Sequence, residues 1–244
     1  MLLSVEATDR YWKASRDGLS TNEGQGIIEF LEHFGIDPSC IVDVGANFGE
    51  ISMSLSRRFP AARVIAVEPS PVNITILREN LEYQPWSTQM IEVVNYAVTE
   101  RDDMFSFEVE NGSQDRIVDE KTPLTPRAVA TVKGLTFSSL LSELAILEVS
   151  FLKVDIEGYE IKVVSDLMRN VHKIRSGLLE LGGLYSRDER RRILEELEAG
   201  YLLIGDNFDS LSVSEALEYV ESTGKDIFVV RRGHTLVSDS LVLN

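Results

Sequence analysis

Cysteine is almost absent. Cys40 is the only one in 244 residues, so no disulfide can form within the chain. Set just before an apolar run, that thiol reads as a small buried side chain, and its isolation favours a reducing, cytoplasmic setting. Cations are scarce as well. Lys and Arg number 24 against 40 Asp and Glu, a formal net charge of −16. Phosphate backbones and anionic lipids are bound through cationic patches, so this balance argues against nucleic acid or an anionic membrane as the main partner. Long apolar runs are missing, and Met1–Val5 is too short for a signal-peptide core and is followed by acids; no membrane insertion or export is expected. His33, His172 and His234 stand apart from one another, with no metal-ligand spacing among them.

What is present is an ordinary globular composition, 43% apolar, with short apolar runs alternating with helical patterns. This suits one α/β domain over residues 39–244 behind an N-terminal helical segment, residues 1–38. The chain is organised around Ile41–Glu50. Ile41 to Val44 form a β-branched run suited to a strand buried on both faces. The run breaks at Gly45-Ala46-Asn47-Phe48-Gly49, and a helix is expected over Gly49–Arg58. A strand ending in a glycine-bearing turn that opens a helix brings bare backbone and a helix N-terminus close to a ligand. One unit later Arg63–Val67 ends at Glu68-Pro69. An acid at the tip of the second strand, at the spacing of a βαβ unit, can accept from both hydroxyls of a ribose. Asn47 stands where a dinucleotide fingerprint needs its second glycine, the one that clears room for a pyrophosphate. The turn therefore suits a nucleoside without phosphates, for which S-adenosylmethionine is the common candidate; a nicotinamide-dependent oxidoreductase on a related fold is the competing reading.

Further strands are expected at Ile91–Val94, Phe151–Asp155, Leu178–Leu181, Tyr201–Ile204 and Ile227–Val230, and helices at Phe137–Leu144, Arg187–Glu198 and Val213–Glu221. Asn95-Tyr96-Ala97 follow the third strand, which makes Tyr96 and Ala97 natural neighbours of an adenine ring. Residues 101–134 break the alternation: Met104–Val109 suggests a strand, Asn111-Gly112 a hairpin turn and Ala128–Lys133 a further strand, so this block reads as an inserted hairpin near the site's rim. Tyr11 and Trp12 serve either to anchor the N-terminal helix or to line the mouth of the site. Lys153, inside a buried strand, needs a counter-charge, and Asp43 on the neighbouring strand is the candidate.

Three pieces in order, IVDVGANFGE, VIAVEPSP with Asn80 beyond it, and FLKVDIEGYE, resemble the FkbM-type family of S-adenosylmethionine-dependent methyltransferases over roughly residues 40–182. The resemblance implies the class I methyltransferase fold, a Rossmann-like α/β sheet of order 3-2-1-4-5-7-6 with its last strand antiparallel. It also implies O-methylation of a sugar or natural-product hydroxyl. By the same resemblance Asp43, Gly45, Asn47 and Glu68 fall on cofactor-binding positions, and Asp155, Glu157, Gly158 and Glu160 on the acidic signature after the fourth strand. With their neighbours Ala46, Gly49, Pro69, Tyr96, Ala97 and Asp155, these complete the expected cofactor set. A hydroxyl acceptor must lose its proton, and Asp155, with Glu157 and Glu180 behind it, is the candidate group to take it. Alternatively the three could hold a divalent metal that lowers the acceptor's pKa, although no ligand spacing establishes this. A binding-only relative that keeps the fold without turnover is the remaining competitor.

Overall fold

The computed structural model describes residues 22–82, 91–109, 116–117, 128–182 and 185–233. In chain order the elements are α1 (Asn22–His33), β1 (Cys40–Val44), α2 (Glu50–Arg58), β2 (Arg63–Val67), α3 (Pro71–Glu82), β3 (Ile91–Val94), β4 (Ala97–Val98), β5 (Asp103–Val109), β6 (Arg116–Ile117) and β7 (Ala128–Leu135). Then follow α4 (Phe137–Glu143), β8 (Val149–Val154), α5 (Glu160–Arg169), a 3-10 turn at Val171–Lys173, β9 (Ile174–Leu179), α6 (Arg187–Glu198), β10 (Tyr201–Ile204), β11 (Ser210–Leu211), α7 (Val213–Thr223) and β12 (Ile227–Arg231). Among the described residues, no helix is long and apolar enough to cross a membrane.

β1 and β8 are buried at every position, as near-continuous apolar strands must be when helices cover both faces of a parallel sheet. They lie at the centre of an eight-stranded sheet ordered β11-β10-β12-β9-β8-β1-β2-β3. With the short edge strand β11 set aside, the core strands run 3-2-1-4-5-7-6, and β12 is antiparallel to both its neighbours. This is the Rossmann-like order that the sequence led us to expect. One face is covered by α1, α2 and α3 through Phe30, Leu55 and Leu77, the other by α4 to α7 through Phe137, Val163, Ile193 and Leu217. The N-terminal helix belongs to this core: Phe30 stacks on Phe228 of β12 with centroids 4.4 Å apart and also meets Phe151 of β8. Tyr11 and Trp12 lie outside the described residues.

Strand order reverses between β1 and β8, which pair in parallel in register Asp43↔Lys153. Open α/β sheets bind ligands at that switch point, beyond the carboxyl ends of the strands. Residues 101–134 add a second, four-stranded sheet, β4-β7-β5-β6. β5 pairs antiparallel with both β7 and β6, as an inserted hairpin requires, while the Asn111-Gly112 turn lies outside the described residues. Ala97, read from sequence as following the third strand, joins this sheet together with Val98 as β4, parallel to Gly134 and Leu135 of β7. Boundaries also move: the strand expected at Phe151–Asp155 is Val149–Val154. The strand expected at Leu178–Leu181 is Ile174–Leu179, because Arg175 and Ser176 interrupt the apolar run yet are accommodated: the Ser176 hydroxyl donates to the Ser150 carbonyl at 2.7 Å, and Arg175 pairs with Glu148.

Candidate functional site

Four loops at the carboxyl end of the sheet converge on a cavity with about 650 Å³ of open space. Val44, Gly45 and Asn47 contribute from the first loop, Val67, Glu68 and Pro69 from the second, Tyr96 to Val98 from the third, and Asp155 to Glu157 with Tyr159 from the fourth. Asn73 of α3 and Phe107 of the inserted sheet complete the wall. Gly45 has φ +80, and a Cβ there would lie 1.7 Å from the Asp155 carbonyl oxygen; only glycine lets the first and fourth loops pack this closely.

Glu68 ties the first two loops together. Its Oε2 accepts from the Asn47 amide at 2.9 Å, and its Oε1 accepts from the Ser70 amide at 2.9 Å and from Asn73 Nδ2 at 3.3 Å. It is 4% exposed, so these donors offset the cost of burying its charge. The side-chain oxygens of Asn47 and Asn73, both on residues bordering the cavity, are buried and have no hydrogen-bond partner. Two orphaned acceptors beside a buried carboxylate are a donor-seeking surface, which a ribose diol or an adenine amine satisfies. Tyr96 is fixed at the rim: its hydroxyl donates to Glu143, and Lys133 Nζ sits 4.6 Å from its ring centroid.

The fourth loop carries the charge. Lys153, 3% exposed, donates to Asp155 Oδ2 at 2.8 Å and lies 3.7 Å from Glu23 of α1. Burial alone would drive the ammonium to lose its proton, but Asp155, Asp43 and Glu23 outweigh that and keep it charged. Burial also works against ionisation of Asp155, yet Lys153 and a hydrogen bond with Glu180 hold its carboxyl below the usual range. Glu180 is pushed the other way by burial and by Asp155 beside it, which leaves it protonated. Asp155, Glu160 and Glu180 bring carboxylate oxygens within 4.8 Å of one another. All three are already engaged: Asp155 holds Lys153 and shares a hydrogen bond with Glu180, and Glu160 accepts from the amides of Ile156 (2.7 Å) and Gly158 (3.1 Å) and from the Tyr185 hydroxyl. That donor set serves protein hydrogen bonds before it serves a cation.

The methyltransferase FkbM domain matches residues 43–203 of this chain. The chain belongs to the FkbM methyltransferase family. Methyltransferase 1 of Beauveria bassiana is 29% identical over 149 residues, which are 54% of this chain and 59% of that protein. Methyltransferase sdnD of Sordaria araneosa is 46% identical over 41 residues, 17% of this chain and 16% of that protein. The matches thus span only part of these relatives. Among solved structures, cofactor-bound Rv0187 from MTB superposes with a TM-score of 0.51 at 15% identity, over 93% of this chain and 90% of that one. The O-methyltransferase of Bacillus cereus in complex with SAH gives 0.50 at 13% identity, over 91% and 90%. These two share the fold.

Within this FkbM domain the expected residues divide. Gly45, Asn47, Glu68, Pro69, Tyr96, Ala97, Asp155 and Glu157 border the cavity. Asp43, Ala46, Gly49 and Glu180 stand behind its wall. Asp43 is 1% exposed and accepts from the Ser52 hydroxyl of α2 at 2.6 Å, and Glu180 reaches the cavity only through Asp155. Asp43 is a counter-charge of Lys153, as expected, and helps hold the ammonium charged, but the direct ion pair is with Asp155. Asp43 and Lys153 are opposite in register, but the long lysine side chain runs along its strand to Asp155, two residues on and on the same face. The carboxylate trio is likewise Asp155, Glu160 and Glu180 in place of Asp155, Glu157 and Glu180, because Glu157 has φ 54 and turns toward the cavity while Glu160 turns back into the loop. Sequence reasoning missed Asn73, Val98, Phe107 and Tyr159. Asn73 alone carried a local signal, as the third residue after Ser70, whose hydroxyl accepts from its amide at 3.3 Å.

Proposed function

We propose that this FkbM-family methyltransferase uses S-adenosylmethionine to methylate a hydroxyl of a sugar or other natural product. The observation that carries the reading is the cavity itself: glycine-lined at Gly45, with Glu68 and two orphaned asparagine oxygens on one side and the Asp155 carboxylate on the other. Glu68, Asn47 and Asn73 would hold the ribose, and Pro69, Tyr96, Ala97 and Phe107 the adenine. Bound there, S-adenosylmethionine supplies an electrophilic methyl on a sulfonium. That the Bacillus cereus neighbour is an O-methyltransferase supports oxygen as the accepting atom.

Asp155 is the proton acceptor in this scheme. Held ionised by Lys153, it is a weak base, and a weak base suffices if it takes the hydroxyl proton late, when the oxygen has already gained a bond and become acidic. General-base help of this kind contributes about 10²–10⁴-fold. Glu180, kept protonated against Asp155, orients that carboxylate. Glu157 borders the same space and would orient the acceptor.

S-adenosylhomocysteine should raise the melting temperature, and NAD(H) should not. Radiolabelled methyl should then pass from S-adenosylmethionine to members of a panel of sugars and hydroxylated natural products. Stabilisation by NAD(H) alone would replace the methyltransferase reading with an oxidoreductase, and binding without transfer to any acceptor would leave a cofactor-binding relative.

A further inference from the structure

Between β8 and α5 the chain makes a loop, Asp155-Ile156-Glu157-Gly158-Tyr159, with two successive residues at positive φ, Glu157 at 54° and Gly158 at 92°. Such a turn points its amide N–H groups inward, where they form a concave seat for an anion. The seat is filled from within. Glu160, the first residue of α5 and 1% exposed, folds back so that Oε1 accepts from the Ile156 amide at 2.7 Å and Oε2 from the Gly158 amide at 3.1 Å. A negative charge at that point also complements the helix N-terminus.

The carboxylate is in turn gripped from another part of the chain. The Tyr185 hydroxyl donates to Glu160 Oε2 and accepts from the Glu160 amide at 2.8 Å. That amide is one of the first-turn N–H groups that no helical carbonyl can satisfy. One phenol oxygen thus closes both the carboxylate and the helix end. Tyr185 is itself well anchored: its ring is 7% exposed in the main core, and the next residue, Ser186, caps α6 in a complete capping box with Glu189. Tyr185 does not border the cavity, whereas Asp155, Ile156, Glu157 and Tyr159 of the loop it grips all do.

We infer that Tyr185 is a positioning residue of methyl transfer: through Glu160, its hydroxyl sets the loop that presents Asp155 and Glu157 to the cavity. The inference rests on reading that cavity as the S-adenosylmethionine site. A phenylalanine would fill the same core space and leave Glu160 with one bond fewer and its own amide unsatisfied. The loop, with its two left-handed residues, would keep the Asp155 amide on the Val44 carbonyl and the Tyr159 hydroxyl on Glu100, but the Glu160 carboxylate at its centre would lose its tie to the core.

The test needs no acceptor. Wild type, Tyr185→Phe, Glu160→Gln and, as control, Tyr201→Phe are titrated with S-adenosylhomocysteine by calorimetry, and amide ¹H–¹⁵N spectra are recorded for each. Tyr201 is likewise a buried tyrosine, whose hydroxyl donates to the Ile174 carbonyl at 3.5 Å, at the opposite end of β9 from the site. Tyr185→Phe should weaken binding about tenfold, the effect of losing one hydrogen bond to a buried charge, and shift the Ile156 and Gly158 amide signals. Glu160→Gln should do both more strongly, and it tests the same grip should Tyr185→Phe fail to fold. Tyr201→Phe should do neither. Unchanged affinity and unchanged loop signals in Tyr185→Phe, or equal loss in Tyr201→Phe, would overturn the positioning role. If wild type itself does not bind S-adenosylhomocysteine, the cofactor reading fails, and the loop signals alone then report whether the grip exists.

Discussion

A Cβ at residue 45 has nowhere to go. It would meet backbone, the Asp155 carbonyl oxygen at 1.7 Å, and not the movable end of a side chain. Gly45→Ala should therefore push the first and fourth loops apart and add about 1–2 kcal/mol of left-handed strain. Calorimetry should show S-adenosylhomocysteine affinity falling by far more than the change in unfolding midpoint implies. Asp155→Asn asks a different question. The amide keeps the shape and loses the charge, so cofactor affinity should be nearly unchanged while turnover falls by about a hundredfold or more; unchanged turnover would remove Asp155 from the proton-accepting role. Gly45, Glu68 and Asp155 were legible in the sequence because each sits at the end of an apolar strand, where position alone fixes the direction of the residue. Phe107 was not, since its place in the wall depends on how a separate sheet docks on the domain. Asp43 was legible as a counter-charge of Lys153, but the direct contact with Asp155 was not, for a related reason: strand register locates a Cβ, whereas an ammonium four carbons away chooses among every carboxylate within its reach.

Between elements, the largest dependence falls on the Glu68 carboxylate, which joins the β1–α2 loop to the start of α3 through the Asn47 and Ser70 amides. Glu68→Gln offers one acceptor oxygen where two are used, and its new amide group would face an N–H donor. Leaving one buried amide unsatisfied costs about 1–3 kcal/mol, so chemical denaturation should show a loss of that size together with loss of S-adenosylhomocysteine binding. Strand order and the alternation of strands with helices were readable because buried parallel strands are apolar along their length and their helices carry glycine, proline and serine at the ends. The inserted sheet was half readable. Its β5 and β7 alternate, but the two-residue β4 is too short for any periodicity to mark it, and the beginning of β9 hides behind polar residues whose partners lie on other strands.

At the scale of the whole molecule, several acids near the carboxyl end of the sheet are buried close to one another and hold their protons more tightly than exposed ones. Burial, then Glu23, raises Asp226 from the ordinary 3.8 to about 7, and Glu180 is raised by burial and by Asp155. The folded state keeps these protons after an unfolded chain would release them. Their contribution to stability is thus complete below the ordinary carboxylate values and is lost as pH climbs through the raised ones. Asp155, shifted downward, acts in the opposite sense, but only in acid. Melting temperature should therefore fall between about pH 5 and pH 8, and Asp226→Asn should flatten the fall; a flat wild-type profile would contradict this account.

The stacking of Phe30 on Phe228 joins the first described helix to the last strand, and the same helix sends Glu23 to within 3.7 Å of Lys153. Peeling that helix away would strip an aromatic seam from the sheet and, in the same motion, take a counter-ion from Lys153 beside the cavity. The two extremes of the described fold should thus open as one cooperative unit. Amides of α1 and β12 should exchange with deuterium together, and whatever loosens the beginning of the fold should be felt at the chemistry.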